Sequence, residues 1–283
     1  MSEKPEVVER VERPAPREFY RRYVRANRPV VITGVADGWR ATGLWTPDYF
    51  RSHFADARVS FTAWESDAPT NDPTDYYAHR KKRGTSLGAF IDLMRSGEDS
   101  SRSYVTQFPI FRALPQLRED IEPPDAYMNI PRHYPPSVRR RLKKEPTLWL
   151  GPAQTVTPVH FDAAHNLLAQ IHGCKRLLLI PPEQSGKLYY PAPELGHVNY
   201  SPVDVEAPDL DRFPRYEGVA PLEVLLGPGE ILFIPVRWWH YVRALEPTIS
   251  LNFWWFSLDS LRRMWHPYLV YKRGRLYERI KRR

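Results

Sequence analysis

The sequence predicts a mainly β protein with flanking helices, organised as a barrel or sandwich of short strands. Proline accounts for 29 of the 283 residues, about twice the usual share of roughly 5%, and this disfavours a helical bundle. After Tyr104, short runs of apolar and β-branched residues alternate with proline and glycine, a pattern typical of barrels and sandwiches. Aromatic residues make up 13% of the chain, so we expect a core rich in aromatic rings.

Composition excludes several classes of protein. Cys174 is the single cysteine, which excludes an intrachain disulfide and a zinc site built from several cysteines. The sequence has no apolar run of about 18 residues and begins with charged residues, so we expect a cytoplasmic protein without a spanning helix. The net charge of +8 arises in residues 261–283, which carry nine Arg and Lys residues against one acid. The basic character is therefore a C-terminal feature and not a property of the main fold.

Residues 1–102 are predicted to form an N-terminal α/β segment that packs on the barrel. Apolar spacing, a Thr-Pro helix start and β-branched runs predict three helices and two strands in this segment. The helices are expected at Glu18–Arg28, from Pro47 onward and at Ser86–Met94, and the strands at Pro29–Val35 and Val59–Ala63.

Residues 103–260 are predicted to form the β domain, followed by a basic, aromatic tail at 261–283. Turn residues divide the β domain into short strands. These are expected at Ser103–Phe108, Thr147–Gly151, Asn166–His172, Arg176–Ile180, Glu223–Leu226, Glu230–Ile234 and Thr248–Trp255. Pro191–Pro221 shows little periodicity and predicts a long insertion, whereas the basic run Arg139–Lys144 predicts an exposed segment.

The segment with the clearest chemistry contains an H-x-D tripeptide. In an extended chain His160 and Asp162 point to the same face, because side chains alternate with a period of two. A third ligand is predicted at His240, which follows an apolar strand and a turn. Two histidines and one carboxylate form the ligand set of non-haem Fe(II) oxygenases, which leaves coordination positions open. On the residues alone, a structural role remains an alternative for each of them. His160 could cap a strand end, Asp162 could form a turn, and His240 could be a core imidazole.

The residues after this tripeptide strengthen the prediction of a ligand site. If Asn166 faces inward from its strand, then Leu168, Gln170 and His172 do so as well. Several polar groups would then lie inside a barrel, and buried polar groups are unfavourable unless they have partners. Such a lining is typical of a ligand site.

The chain resembles the JmjC-type, cupin-like 2-oxoglutarate oxygenases, and closely the branch with the asparaginyl hydroxylase that inhibits hypoxia-inducible factor. The similarity covers about Arg28 to Phe256. The matching elements, in order, are RPVVITGVADGW, TPVHFD, NLLAQIHGCKRLLLIPP, GPGEILFIPVRWWHYV and SLNFWW. Their ordered combination is far more specific than any one of them.

The resemblance implies a double-stranded β-helix (jelly-roll or cupin fold of the JmjC type) that holds Fe(II) through His160, Asp162 and His240. It also implies that Lys175 pairs with the distal carboxylate of 2-oxoglutarate. For Lys175 taken alone, the alternative is a solvated lysine at a hairpin end. His165 remains a backup metal ligand, and the pair Trp238 and Trp239 is expected to pack the barrel.

Further residues are assigned to the co-substrate and the substrate on the same resemblance. Thr157 and Tyr104 match hydroxyl groups that bind the distal carboxylate, and Tyr104 has an ordinary strand aromatic as its alternative. Asn166 and Asn252 match amides beside the metal and the keto acid. Trp254 lies where relatives place an aromatic residue near the substrate, and Gln107 is assigned to substrate binding with it.

The function that we predict is an Fe(II)- and 2-oxoglutarate-dependent hydroxylase that uses O2 and yields succinate and CO2. The expected substrate is a protein or peptide side chain. Two alternatives are an RNA (tRNA base) hydroxylase with the same iron site and a non-catalytic cupin-like binding module. Basic clusters at Arg80–Arg83, Arg139–Lys144 and in the tail could contact phosphates, although solvated surface or acidic protein partners are equally compatible with them. The resemblance also suggests a homodimer formed through the C-terminal segment, and no membrane partner is expected.

Overall fold

A computed structural model describes residues 7–65, 73–97, 102–131, 133–190, 199–257, 259–260 and 262–264. Residues 67–74, whose sequence is rich in turn-forming residues, lie mostly outside the described ranges, as does nearly all of the predicted C-terminal tail. None of the helices within the described ranges has the length and apolar character needed to cross a bilayer.

The described chain contains thirteen strands and seven short α-helices. The strands are β1 (Arg10–Glu12), β2 (Val30–Thr33), β3 (Arg58–Trp64), β4 (Arg80–Ser86), β5 (Ser103–Phe108), β6 (Thr147–Gly151), β7 (Val156–Phe161), β8 (His165–His172), β9 (Lys175–Ile180), β10 (Leu222–Leu226), β11 (Ile231–Ile234), β12 (Trp239–Ala244) and β13 (Thr248–Trp255). The helices are α1 (Pro16–Phe19), α2 (Arg40–Leu44), α3 (Pro47–Phe54), α4 (Pro73–His79), α5 (Leu87–Arg95), α6 (Ile110–Ala113) and α7 (Pro136–Leu142).

The strands form two sheets that face each other as a jelly roll. The larger sheet has nine strands in the order β1-β2-β11-β8-β13-β6-β5-β3-β4, and the smaller has four in the order β10-β9-β12-β7. All neighbouring strands run antiparallel except β1 and β2. A jelly roll of this kind leaves an interior between its sheets, where inward side chains can build a site.

The N-terminal helices cover the outer face of the large sheet. Phe19, Trp45 and Phe50 are fully or almost fully buried there, in one cluster with Phe233 and Phe253 from the sheet. Two of these helices have side-chain caps at their N-termini, and the one at Thr46 was predicted from the sequence. The Thr46 hydroxyl accepts a hydrogen bond from the Tyr49 N–H at the start of α3, and Ser86 does the same for Ala89 at α5.

The segment 199–219 covers the outer face of the small sheet. Val203, Phe213 and Tyr216 pack against Trp239 and Tyr241 in a second cluster. The sequence predicts an insertion without regular structure here, and the segment is indeed irregular apart from a 3-10 turn at Pro214–Tyr216. Its packing was not predicted, because contacts between an irregular segment and a distant strand leave no periodic pattern.

The structure confirms the mainly β class with flanking helices, and it corrects several elements. The strands predicted at Ser103–Phe108, Thr147–Gly151 and Thr248–Trp255 have the predicted bounds. The helix predicted at Glu18–Arg28 is instead α1 followed by a π-helical turn at Tyr20–Val24. The basic cluster at His79–Arg83 mostly belongs to β4, the edge strand of the large sheet, where Lys and Arg discourage pairing with other chains. The division at residues 102 and 260 stays a prediction, although β1–β4 join the large sheet.

Candidate metal centre

Three side chains converge at one end of the barrel interior. His160 lies on β7, Asp162 follows that strand directly, and His240 lies opposite His160 on β12. One ligand atom from each residue lies within 4.8 Å of the other two. The two imidazole centroids are 4.2 Å apart, and His240 Nε2 is 3.9 Å from Asp162 Oδ2. The fold therefore brings together residues that are 80 positions apart in the sequence.

Backbone carbonyls fix the tautomer of both histidines. His160 Nδ1 lies 2.9 Å from the Pro158 carbonyl oxygen, and His240 Nδ1 lies 3.0 Å from that of Trp238. A carbonyl only accepts hydrogen bonds, so Nδ1 must carry the proton on each ring. In the neutral form of such a ring, the lone pair is on Nε2, which is the state in which histidine binds a metal.

The protonation state of His160 also suits a metal ligand. Burial, together with the neighbouring His240, lowers the pKa of His160 to about 4, although Asp162 acts in the opposite direction. The imidazole is therefore neutral at physiological pH. A neutral ring does not have to lose a proton before it binds a cation.

The Asp162 carboxylate is held by an indole. Trp254 Nε1 donates a hydrogen bond of 2.8 Å to Asp162 Oδ2, and only 7% of the Trp254 surface is exposed. The Lys144 ammonium lies 5.9 Å from the centre of the Trp254 ring. Hydrogen bonds to a ligating carboxylate orient it for the metal, so Trp254 supports the site in addition to lining the cleft beside it.

A buried cation lies further along the same interior. Lys175 is 2% exposed, and its Nζ is 3.0 Å from the Tyr104 hydroxyl and 2.6 Å from Ser250 Oγ. Burial lowers its pKa to about 7, and no acidic side chain in the described ranges forms an ion pair with it. A buried ammonium with only neutral partners is unfavourable and therefore fits a site for an anion.

Strand β13 connects the two ends of this interior. Its alternate residues face the same side: Trp254 contacts Asp162, Ser250 contacts Lys175, and Asn252 lies between them. Across the sheet, Asn252 is in register with Thr147 of β6, and Trp254 with Asn166 of β8.

Several buried polar atoms along this face have no hydrogen-bond partner within the described part of the chain. They are Thr147 Oγ1, Trp149 Nε1 and Asn166 Oδ1. Orphaned buried polar atoms are rare in folded proteins. Three of them on β6 and β8, the two strands that flank β13, indicate a cavity that a polar ligand fills.

A cleft of about 150 Å³ opens beside the triad. Its walls include Asp162, the small residues Ala163 and Ala164, and Trp254. Gln107 also lines it, at a bulge of β5 where its φ is +51°. The structure thus brings both predicted substrate residues, Trp254 and Gln107, to the opening next to the metal ligands.

Comparison with known proteins agrees with this geometry. Residues 16–260 match the cupin-like domain. The chain belongs to the cupin-like domain family. This match confirms the fold that the sequence resemblance implies. The names of several relatives also include the JmjC domain.

Three relatives illustrate the similarity. Lysine-specific demethylase 8 of Xenopus tropicalis is 34% identical over 244 residues, which cover 86% of this chain and 51% of that protein. Lysine-specific demethylase JMJ30 of Arabidopsis thaliana is 33% identical, over 84% of this chain and 52% of the relative. The human bifunctional peptidase and (3S)-lysyl hydroxylase JMJD7 is 28% identical, over 86% and 81%. This cupin-like chain spans about half the length of the first of them.

The cupin-like site fits a divalent transition metal. Two imidazoles whose Nδ1 atoms are bonded to backbone carbonyls, together with one oriented carboxylate, are the donor set that binds non-haem Fe(II) on one face. The role of each residue remains a proposal, but the three predicted ligands are adjacent, as the sequence pattern requires.

The prediction of His165 as a backup metal ligand is wrong. It faces the outer side of β8, where it is fully buried between the Phe233 and Trp255 rings. Its Nδ1 accepts a hydrogen bond from the Val236 N–H, and its Nε2 lies 3.2 Å from Ser257 Oγ. Both ring nitrogens are therefore used by the protein itself.

The tryptophan pair packs the barrel as expected. Trp239 forms an edge-to-face contact with Phe161 at 4.8 Å, and its indole donates to Ser185. Trp238 donates to the backbone oxygen of Asn27. Neither residue lines the cleft.

The remaining residues predicted to bind the co-substrate differ in their contacts with Lys175. Tyr104 contacts Lys175 directly, although its alternative as a plain strand aromatic was open. Thr157 is half-buried and lies opposite Val242 of β12, but within the described ranges no hydrogen bond joins it to Lys175. Sequence reasoning missed Ser250, although its spacing of two from Asn252 and four from Trp254 could have placed it on the same face.

Proposed function

We propose that the protein is an Fe(II)- and 2-oxoglutarate-dependent dioxygenase that hydroxylates a side chain of a protein or peptide. The observation that carries this proposal is the buried ammonium of Lys175, which lies in the same interior as the His160–Asp162–His240 triad and has no acidic partner in the described ranges. A metal site and an anion site joined by one strand face suit a chelating keto acid with a second carboxylate. The names of the relatives, which include demethylases and a lysyl hydroxylase, support an oxygenase that acts on proteins.

The triad would hold the iron through the two Nε2 atoms and the Asp162 carboxylate. Bound iron supplies the activation of dioxygen and the oxidative decarboxylation of the keto acid to succinate and CO2. The chain provides geometry: the Pro158 and Trp238 carbonyls fix the ring nitrogens, and Trp254 holds the carboxylate.

The residues at the other end would bind the distal carboxylate of 2-oxoglutarate. The Lys175 ammonium would provide the positive charge. The Tyr104 hydroxyl would provide a second hydrogen-bond donor, because no described group accepts the proton of this hydroxyl. Thr157 would contribute a further hydroxyl from β7. Asn166 and Asn252 would contact the keto acid between the two ends, and the orphaned Asn166 Oδ1 supports this.

The cleft at Trp254 would admit the substrate side chain. Its alanine walls leave room, while its depth keeps most of the site away from water. Recognition of a nucleobase usually includes stacking on an exposed aromatic face. Trp254 exposes little of its ring and has Lys144 over it, so a peptide side chain suits this cleft better than an extruded base.

The basic cluster on β4 gives little further support to the RNA alternative. On β4, Lys81 and Arg83 form ion pairs with Glu65, and Lys82 donates to Thr106. Ion-paired cations contribute less to phosphate binding. The tRNA partner and the homodimer remain predictions, as does the closer resemblance to an asparaginyl hydroxylase.

The test is a turnover assay with purified protein, Fe(II), 2-oxoglutarate and a peptide library that includes lysine-containing peptides. We expect succinate formation stimulated by some of the peptides, and peptide products heavier by one oxygen. His160→Ala is the matched control and should lose both signals while keeping its circular dichroism spectrum. Failure of the folded protein with Mn(II) to bind 2-oxoglutarate would favour the non-catalytic binding module.

A further inference from the structure

Lys175 belongs to a chain of hydrogen bonds that reaches the turn between β8 and β9. Gln170 Nε2 lies 2.7 Å from the His172 carbonyl oxygen and 2.9 Å from that of Gly173. Gln170 Oε1 lies 2.9 Å from Ser250 Oγ, which in turn lies 2.6 Å from Lys175 Nζ. Gln170 and Ser250 are both fully buried.

The direction of every bond in this chain is determined. The two turn carbonyls only accept, so they take both protons of the Gln170 amide nitrogen. The Gln170 oxygen therefore faces Ser250 and accepts its hydroxyl proton. Ser250 Oγ has no other proton to donate, so towards Lys175 it can only accept.

The turn that anchors this chain is closely packed. Gly173 has φ +70°, and a side chain at this position would approach the Pro247 carbonyl oxygen to 2.1 Å. Only glycine combines this backbone conformation with such close packing. The carbonyl acceptors of Gln170 therefore belong to a turn that depends on glycine.

Neutral acceptors orient an ammonium without cancelling its charge. Lys175 uses two of its three N–H groups on Ser250 and Tyr104, and the third has no acceptor in the described part of the chain. An aspartate at position 250 would hold Lys175 equally well, but it would form an internal ion pair. The positive charge would then no longer be available to a carboxylate from solution.

We propose that Ser250 and Gln170 are positioning residues that make the site specific for a keto acid with a second carboxylate, by holding the Lys175 ammonium in place while leaving its charge uncompensated. The proposal rests on the proposed function and assigns the co-substrate preference to two residues that act only through Lys175. Neither residue has to touch the co-substrate.

The test compares two ligands and four proteins in the presence of Mn(II) by isothermal titration calorimetry. The ligands are 2-oxoglutarate and 2-oxopentanoate, which has a methyl group in place of the distal carboxylate. The proteins are the wild type, Ser250→Ala, Ser250→Asp and Thr248→Val. The last is the matched control, because Thr248 is a buried hydroxyl on the same strand whose Oγ1 has no partner in the described ranges.

We expect Ser250→Ala to weaken 2-oxoglutarate binding roughly 10- to 100-fold, since a hydrogen bond to a charged group is lost. Its affinity for 2-oxopentanoate should change by less than about threefold. Ser250→Asp should abolish the preference for 2-oxoglutarate, because its carboxylate pairs with the Lys175 ammonium. Thr248→Val should retain the wild-type preference.

Three outcomes would overturn this account. If Ser250→Ala binds both ligands with wild-type affinity, Ser250 does not position Lys175. If both ligands weaken equally in a folded Ser250→Ala protein, its role is structural only. If the wild type itself does not bind 2-oxoglutarate, the proposed function fails as well, and this result is distinct from the first two.

Discussion

Replacing Lys175 with methionine should stabilise the protein in the absence of co-substrate. Methionine has a similar length and no charge, so it removes the unfavourable burial of an ammonium and keeps most of the packing. The pKa of Lys175 falls from 10.5 to about 7 because of burial. At about 1.4 kcal/mol per pKa unit, the burial penalty below pH 7 is at most roughly 5 kcal/mol. Loss of the bonds to Tyr104 and Ser250 offsets part of the gain, so we expect Lys175→Met to be about 1 to 3 kcal/mol more stable at pH 6.5.

The difference in stability between the wild type and Lys175→Met should depend on pH, and this dependence is a sharper test than the size of the difference. Between pH 7 and 10.5 the unfolded chain binds a proton at Lys175 that the folded protein does not, so wild-type stability rises with pH in this window. The penalty is fully present below pH 7 and disappears as the pH approaches 10.5. From pH 7 to pH 9 the wild type should gain about 2 to 3 kcal/mol relative to Lys175→Met.

The assay is urea unfolding of both proteins at pH 6.5, 8 and 9 without keto acid. Other titrating groups cancel in the difference between the two proteins, provided that their surroundings are unchanged. Parallel stability curves across this pH range would refute the idea that Lys175 is a buried, uncompensated cation.

Further substitutions test other parts of the site. Trp254→Phe removes the hydrogen bond to Asp162, and it should weaken Mn(II) binding about 10-fold in a calorimetric titration; unchanged affinity would mean that the indole does not orient the carboxylate. Gly151→Ala places a Cβ 2.5 Å from Tyr104 Cδ2, so we expect a loss of about 1 to 3 kcal/mol in urea unfolding and weaker 2-oxoglutarate binding. His165→Ala should destabilise the fold by about 2 to 4 kcal/mol, because both ring nitrogens of His165 form hydrogen bonds within the protein. The stoichiometry of Mn(II) binding should remain one. Loss of Mn(II) binding in this variant would indicate that His165 is a metal ligand.

Local pattern was sufficient to predict much of the site. The H-x-D spacing placed His160 and Asp162 on one face, and β13 has the predicted bounds because most of its residues are β-branched or aromatic. These features depend on period-two alternation, which a single segment of sequence contains.

Long-range pairing accounts for most of what could not be predicted. The strand that holds His240, β12, was not among the predicted strands, and its register with β7 is interrupted by a bulge. The contact of Ser250 with Lys175 depends on how β9 faces β13 across the barrel, and no local pattern records that distance. His165 shows the same limit, because the break between β7 and β8 at residues 162–164 ends the period-two alternation, and the sequence then no longer determines which face its imidazole occupies.

The central claim is that one metal ion and one dicarboxylate keto acid share this interior. The most direct measurement is a crystal structure with Mn(II) and the inert analogue N-oxalylglycine, using anomalous scattering to locate the metal. We expect the manganese peak between the Nε2 atoms of His160 and His240 and the Asp162 carboxylate, with the distal carboxylate of the analogue on Lys175 Nζ. A peak elsewhere, or an analogue whose distal carboxylate lies away from Lys175, would contradict the account.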